Sequence, residues 1–344
     1  MINLMIPLAP ENKPPPNSKV NKLFCDFYDK KNYIVHYETL KLYKDLGMEI
    51  TKVHRGIEFE QVDFIKPYVE FCTVQRQKAK NEFEVGFWKL MVNVIFGKSM
   101  ESVRKRQDLK LYSNELKTQR GINKPTFRKC VIYGENLVLI HKYKTTVSFN
   151  KPIYLGQAIL DLSKAYMYDF HYNVIKREYN EKVKLMYMDT DSLIYHFKED
   201  FNKFIKNNQD LFDTSNYPKD HELYNDKNKK VIGKFKDELG GKKMVEFVGL
   251  RSKSYAYRDN NVYKKLKGIK KSVLDKEIKF QHYKKCLFDQ NEYFHKQSII
   301  RSYDHNIYTE ELNKKTLCWR DDKRCIQQNS TGTLAWGHWR IESN

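Results

Sequence analysis

Hydrophobic and polar positions follow different periods in different parts of the chain. From about residue 73 to 103 the apolar positions recur at helical spacing, with Phe83, Phe87, Leu90, Met91 and Val94 on one face. Pro152 stands where a helix can begin, and Ile159, Leu162, Tyr166 and Phe170 extend an amphipathic pattern to about Tyr179. Residues 40–46 predict a shorter helix that Gly47 stops. Residues 183–197 read as two short β runs around a tight polar turn, Asp189-Thr190. Further strand signals fall at 33–36, 50–54, 137–141, 231–238 and 244–258. Residues 203–228 are polar and predict a surface excursion. After Lys264 the pattern is helical and lysine-rich, ending in less regular sequence. Pro14-Pro15-Pro16 predicts an extended connector. Helical and strand segments are interspersed, without internal repeats.

The composition narrows the classes of partner. There are 63 Lys+Arg against 43 Asp+Glu, a formal charge of +20. A surface that basic favours a polyanion, because it displaces counterions from phosphates. Hydrophobic residues make up 40% of the chain, with 24 Tyr and 20 Phe, enough for a packed core. Cys25, Cys72, Cys130, Cys286, Cys318 and Cys325 form no C-x-x-C pair, so reduced thiols in a nuclear or cytoplasmic setting are expected. The start lacks the basic region of a secretory signal, and no apolar run is long enough for a membrane span. Without secretion, the sequon Asn329-Ser330-Thr331 reads as a chance match.

Two segments carry candidate chemistry. In Tyr187-Met188-Asp189-Thr190-Asp191-Ser192 two aspartates flank one residue at a hairpin tip, where both can point to the same side of the ribbon. Such a pair supplies hard oxygen ligands for Mg²⁺, as two-metal phosphoryl transfer needs. A D-x-D turn on its own is commonplace. The apolar flanks Val183, Leu185, Leu193 and Ile194 give this one a rigid scaffold. In the second segment Lys89, Asn93 and Phe96 lie at i, i+4 and i+7, apart from the apolar stripe. Lys78 comes three turns earlier if the helix is unbroken, and Arg76 and Lys80 add charge. A cation row beside an aromatic ring suits a triphosphate and a base, although a solvated basic helix face has the same pattern. Gly97-Lys98-Ser99 imitates the end of a P-loop, but Val92 stands where its first glycine would be.

Together these segments resemble family-B DNA polymerases. Residues 89–97 are similar to that family's fingers motif, K-x-x-x-N-S-x-Y-G, with Val94 in place of Ser and Phe96 in place of Tyr. Residues 187–192 match its palm motif, Y-x-D-T-D-S. About 56 residues later begins the stretch Glu246–Tyr255, which carries the K-x-Y element at Lys253-Ser254-Tyr255, and Lys267-Gly268 follows in a basic stretch. The wording of the chain at 7–11, 30–37 and 321–324 is most similar to the protein-primed polymerases of Maverick/Polinton-type mobile elements and related viruses.

The resemblance implies an α+β fold: a polymerase palm with an antiparallel sheet, a helical fingers hairpin and a small thumb. Its parts would be a pre-fingers segment at 1–70, fingers at 71–103, an insertion at 104–150, the palm at 151–258 and a thumb-like region at 259–344. Asp191 would be the principal metal ligand with Asp189 as its partner, for Mg²⁺ or Mn²⁺. Lys89, Asn93, Phe96, Arg76, Lys78 and Lys80 would bind the nucleotide. Thr190, Lys253, Tyr255, Lys267 and Gly268 would contact the primer. The partners would be a DNA primer–template, deoxynucleoside triphosphates and a terminal priming protein. The family's other catalytic aspartate, in a D-x-x-x-Y-P-like motif, and its exonuclease domain are expected upstream of Met1. Asp26-Phe27-Tyr28 imitates that motif only faintly. These residues alone are therefore expected to be inactive in synthesis. The alternative is a non-catalytic, nucleic-acid-binding remnant of a mobile-element or viral polymerase.

Overall fold

A computed structural model describes residues 6–328 and 331–341, so the sequon at 329–331 lies largely outside the described residues. The fold is α+β, with short antiparallel sheets and one short parallel pair among its helices. It divides into two compact units. One comprises residues 1–92, 160–297 and 313–344, and the other residues 93–159 and 298–312. No described helix is long and apolar enough to cross a membrane.

In the first unit the helix Tyr37–Asp45 begins where the His36 ring accepts from the Glu38 amide at 3.3 Å. It ends before Gly47, whose φ of 97° only glycine adopts freely. The Asp161 carboxylate accepts from the His36 amide at 2.7 Å and docks this helix start on another helix, Ile153–Asp169. Residues 33–36 and 50–54, expected as strands, are irregular. Neither finds a ladder partner, and without one an apolar run gains nothing by extending.

The helical pattern expected over 73–103 is two helices in sequence, Lys66–Lys78 and Glu82–Ser99. Ala79 turns extended (ψ 133°), and Asn81 caps the second helix by accepting from the Glu84 amide at 2.9 Å. Glu84 reaches back to the Lys80 amide and to the Asn81 side-chain amide, both at 2.9 Å, and so ties the turn to the helix start. The Asn81-x-x-Glu84 spacing carries this break in the sequence. Lys78 therefore does not continue the row of Lys89. Phe83, Phe87 and Leu90 are exposed.

Ile153–Asp169 starts after Pro152 as expected and runs into a π-helical turn, Phe170–Lys176. Asp161, Met167, Tyr168, Phe170 and His171 become the buried set, while Leu162 and Tyr166 of the expected stripe are exposed. Residues 203–228 are a second correction. Phe204, Ile205, Phe212, Tyr217 and Leu223 from that polar stretch are buried against Phe170, Ile175, Tyr179 and Val183. The core there is drawn from apolar residues too widely spaced to show a period.

Another core lies under the three-stranded antiparallel sheet Glu246–Arg251, Ser254–Arg258, Val262–Leu266, where Val248, Leu250 and Ala256 pack on Tyr283 and Cys286 of the helix Phe280–Phe288. Beyond the helices Lys271–Lys276 and Phe280–Phe288, the C-terminal stretch is more regular than its sequence suggests. It forms a long ribbon, Tyr293–Tyr303 with Asn306–Leu317, and a short pair, Arg324–Ile326 with Thr333–Ala335.

In the second unit the strands Asp108–Tyr112, Leu137–Lys142 and Phe127–Gly134 form an antiparallel sheet in that spatial order. The strand expected at 137–141 is its centre.

Candidate functional site

Strands Val183–Asp189 and Ser192–Phe197 pair as a two-stranded hairpin, as their sequence predicts. Leu185 pairs with Tyr195 and Tyr187 with Ile194, so Met186 is an extra residue on one strand. Such a bulge bends the ribbon toward its tip. The tip is tight: the Asp191 amide donates to the Asp189 carbonyl at 2.7 Å, with Thr190 between them at φ 56°. A β-branched residue in that region costs about 1–3 kcal/mol, a strain that collects at functional sites. The Ser192 hydroxyl donates to the same carbonyl at 3.1 Å.

The two aspartates stand in different surroundings. The Lys253 ammonium donates to both Asp189 carboxylate oxygens, at 2.7 and 2.5 Å. The Thr190 hydroxyl donates to Asp189 at 3.2 Å and the Tyr187 hydroxyl at 3.3 Å. Asp191 is exposed, and no cation among the described residues pairs with it. Lys253 sits at the turn between Glu246–Arg251 and Ser254–Arg258, again at positive φ (58°). Its amide donates to the Tyr187 hydroxyl at 2.8 Å. Burial, and after it the Asp189 charge, outweigh the Lys253 amide and hold the Tyr187 hydroxyl up at about 12, so it remains a donor. The Tyr255 ring lies 4.7 Å from the Tyr187 ring, and burial followed by the Asp189 charge raises its pKa as well.

Lys267 and Gly268 join the same end of this sheet. The Lys267 amide donates to the Lys253 carbonyl at 3.0 Å, and the Gly268 carbonyl accepts from Lys314 at 2.8 Å. Gly268 adopts φ 82°. Asp189, Thr190, Asp191, Lys253, Tyr255, Lys267 and Gly268 thus converge from segments up to 79 residues apart.

Lys89, Asn93 and Phe96 share the helix Glu82–Ser99, with Lys89 and Asn93 exposed and Phe96 half-buried. Arg76 and Lys78 close the preceding helix, and Lys80 lies in the turn. Lys230, which the sequence reading did not single out, donates to the Arg76 carbonyl at 3.0 Å. Burial and then the Arg76 and Lys229 charges lower its pKa. No local signal marks Lys230, which comes from 154 residues away.

Residues 213–218 spell D-x-x-x-Y-P, a string the sequence reading passed over. Asp213 is buried, and its carboxylate accepts from the Ser215 amide at 3.1 Å and the Lys230 amide at 3.0 Å. Burial pushes its pKa up, but the Ser215 hydroxyl and then these amides outweigh it and hold the pKa down. Asp213 thus acts as a turn former in this fold.

Among the described residues no cluster of three or more His, Cys, Asp or Glu could hold a metal ion. Asp189 and Asp191 supply two carboxylates of the hard-oxygen type that Mg²⁺ prefers, and Asp189 already holds one cation, the Lys253 ammonium. The tip can bind a cation, present a lysine to a phosphate and stack a base on Tyr255. Compared with protein-family models, curated proteins and solved structures, the chain matches none.

Proposed function

We propose that the chain is the palm, fingers and thumb portion of a protein-primed, family-B DNA-directed DNA polymerase, acting on a primer–template with deoxynucleoside triphosphates. The observation that carries this reading is the meeting of Lys253 and Tyr255 with the Tyr187–Asp189 strand end across 64 residues. These are the residues that the resemblance assigns to the primer terminus and the metal. Asp189 and Asp191 would hold Mg²⁺ or Mn²⁺. Bound there, the ion would neutralise triphosphate charge and favour attack by the primer hydroxyl. Lys253 and Lys267 supply cations for the primer phosphates, and the strained tip keeps Asp191 facing solvent. Lys89 and Asn93, exposed on one helix with Phe96, would take the incoming nucleotide.

A second reading, a nucleic-acid-binding protein without catalysis, has the +20 charge in its favour. Templated nucleotide selection separates the two. In fluorescence anisotropy with a dideoxy-terminated primer–template and Mn²⁺, the complementary dNTP should tighten binding about tenfold, or about 1.4 kcal/mol, more than the other three. Asp191→Asn should lose that selectivity and keep salt-dependent DNA binding. Equal effects of all four dNTPs would leave only the binding reading. Absence of salt-dependent binding would end both.

A further inference from the structure

In the second unit, a cleft of about 430 Å³ opens between the strand pair Phe127–Gly134/Leu137–Lys142 and the turn that joins Tyr303 to Asn306. We propose that this cleft is a binding site for a phosphate group, held by Arg128, Lys129, His141 and His305.

The charge around the cleft has one dominant sign. Arg128, Lys129 and the two histidines face it, and Asp304 is the one carboxylate in the lining. Asp304 is already committed to the Lys129 ammonium. The remaining titratable group, Tyr303, is a further hydroxyl donor. The unit as a whole has fourteen Lys and Arg against seven Asp and Glu. With Lys129 and Asp304 paired, Arg128 leaves the lining with an excess positive charge that repels a metal cation and attracts an anion.

The turn is built to aim its residues. Asp304 and His305 both lie at positive φ, 49° and 66°. A two-residue hairpin loop of that kind normally takes Asn-Gly, and each non-glycine residue there costs about 1–2 kcal/mol. Strain maintained at a charged rim points to use rather than to stability. It brings His305 Nε2 to 2.5 Å from His141 Nε2. His141 is 4% exposed, on the centre strand directly opposite Lys129. In such a contact one ring donates and the other accepts, so a single proton lies between the two Nε2 atoms. A second proton would force the rings apart and turn both into donors, and an anion between them would offset the repulsion. Burial, then His305, Lys129 and Arg128, all oppose protonation of His141 while the cleft is empty. Anion binding should therefore take up a proton.

The phosphate can belong to a nucleic-acid backbone or to a free anion. Imidazole resonances of His141 and His305 in the full chain would be followed by NMR while dimethyl phosphate, and separately inorganic phosphate, is added. Both rings should shift, and dimethyl phosphate, which does not titrate in this range, should bind about tenfold more tightly at pH 6 than at pH 8. Arg128→Gln, an exposed change that spares the fold, should abolish the shifts. His305→Asn, which keeps a residue tolerant of positive φ, should remove the pH dependence. If the site takes backbone phosphate, Arg128→Gln should also lower the salt slope for a single-stranded oligonucleotide by about 0.7. An unchanged slope with intact inorganic phosphate binding assigns the site to free phosphate. Unmoved imidazoles in both titrations, or a response to Zn²⁺ alone, would overturn the proposal.

Discussion

Two clusters of aspartate and lysine in the first unit differ in balance and in depth. In one, Asp26 and Glu11 share Lys13 and Lys30, two anions to two cations. The Asp26 side chain is 0% exposed there. In the other, Lys253 pairs with Asp189 while no cation among the described residues pairs with Asp191, and the Asp189 and Lys253 side chains are 22% and 45% exposed. A balanced, buried cluster satisfies all its charge within the fold and has nothing left for a ligand. The unbalanced cluster leaves one carboxylate facing water, where an unmet charge costs little and a cation is welcome. Burial pushes the Asp26 carboxyl up, but Lys30 and Lys13 outweigh it and hold it below the usual carboxylate range. Asp26 resembled a catalytic aspartate faintly in sequence, and the structure gives it the partners of a structural one.

The largest expected effect is at the balanced cluster. Asp26→Asn leaves Lys13 and Lys30 with Glu11 as their shared anion and should cost about 3 kcal/mol in urea unfolding. Because the folded pKa of Asp26 is lowered, its contribution is fully present above the unfolded value of 3.8 and is lost as pH falls through the lower folded one. The acid limb of the stability curve should therefore flatten in Asp26→Asn. A loss well under 1 kcal/mol, with an unchanged acid limb, would show that the two clusters do not differ as described.

An intermediate effect is expected from metal. Mn²⁺ at ten times its dissociation constant should stabilise the protein by about 1.4 kcal/mol. Asp191→Asn should respond much less, and Asp26→Asn as the unmodified protein does. Equal metal-induced shifts in Tm for the unmodified protein and Asp191→Asn would remove Asp191 as a ligand. The smallest effect is Asp191→Asn without metal, which should change stability by no more than about 0.5 kcal/mol, and in the stabilising direction if the two tip carboxylates repel. A clear destabilisation would mean that Asp191 has a structural task, and the contrast between the clusters would weaken.

What the sequence by itself determined is local. Alternation on either side of a polar turn specified the hairpin that ends in Asp189 and Thr190, Gly47 the stop of a helix, Pro152 the start of another, and residues 137–141 a strand. Each of these is set within a few residues by sterics, turn chemistry and side-chain period. The charge excess is likewise complete in the composition. Tertiary structure decided which distant residues meet. The polar stretch 203–228 became core because its scattered aromatics had a face to pack on. Asp189 acquired Lys253 from 64 residues away, Arg76 gained Lys230 from 154, and His141 gained His305 from 164. Periodicity shows which side of an element turns inward and leaves open which other element it meets. That choice rests on the path of the whole chain and on the burial shared among its parts, so the partners of each charge, and with them the character of each site, appeared only in three dimensions.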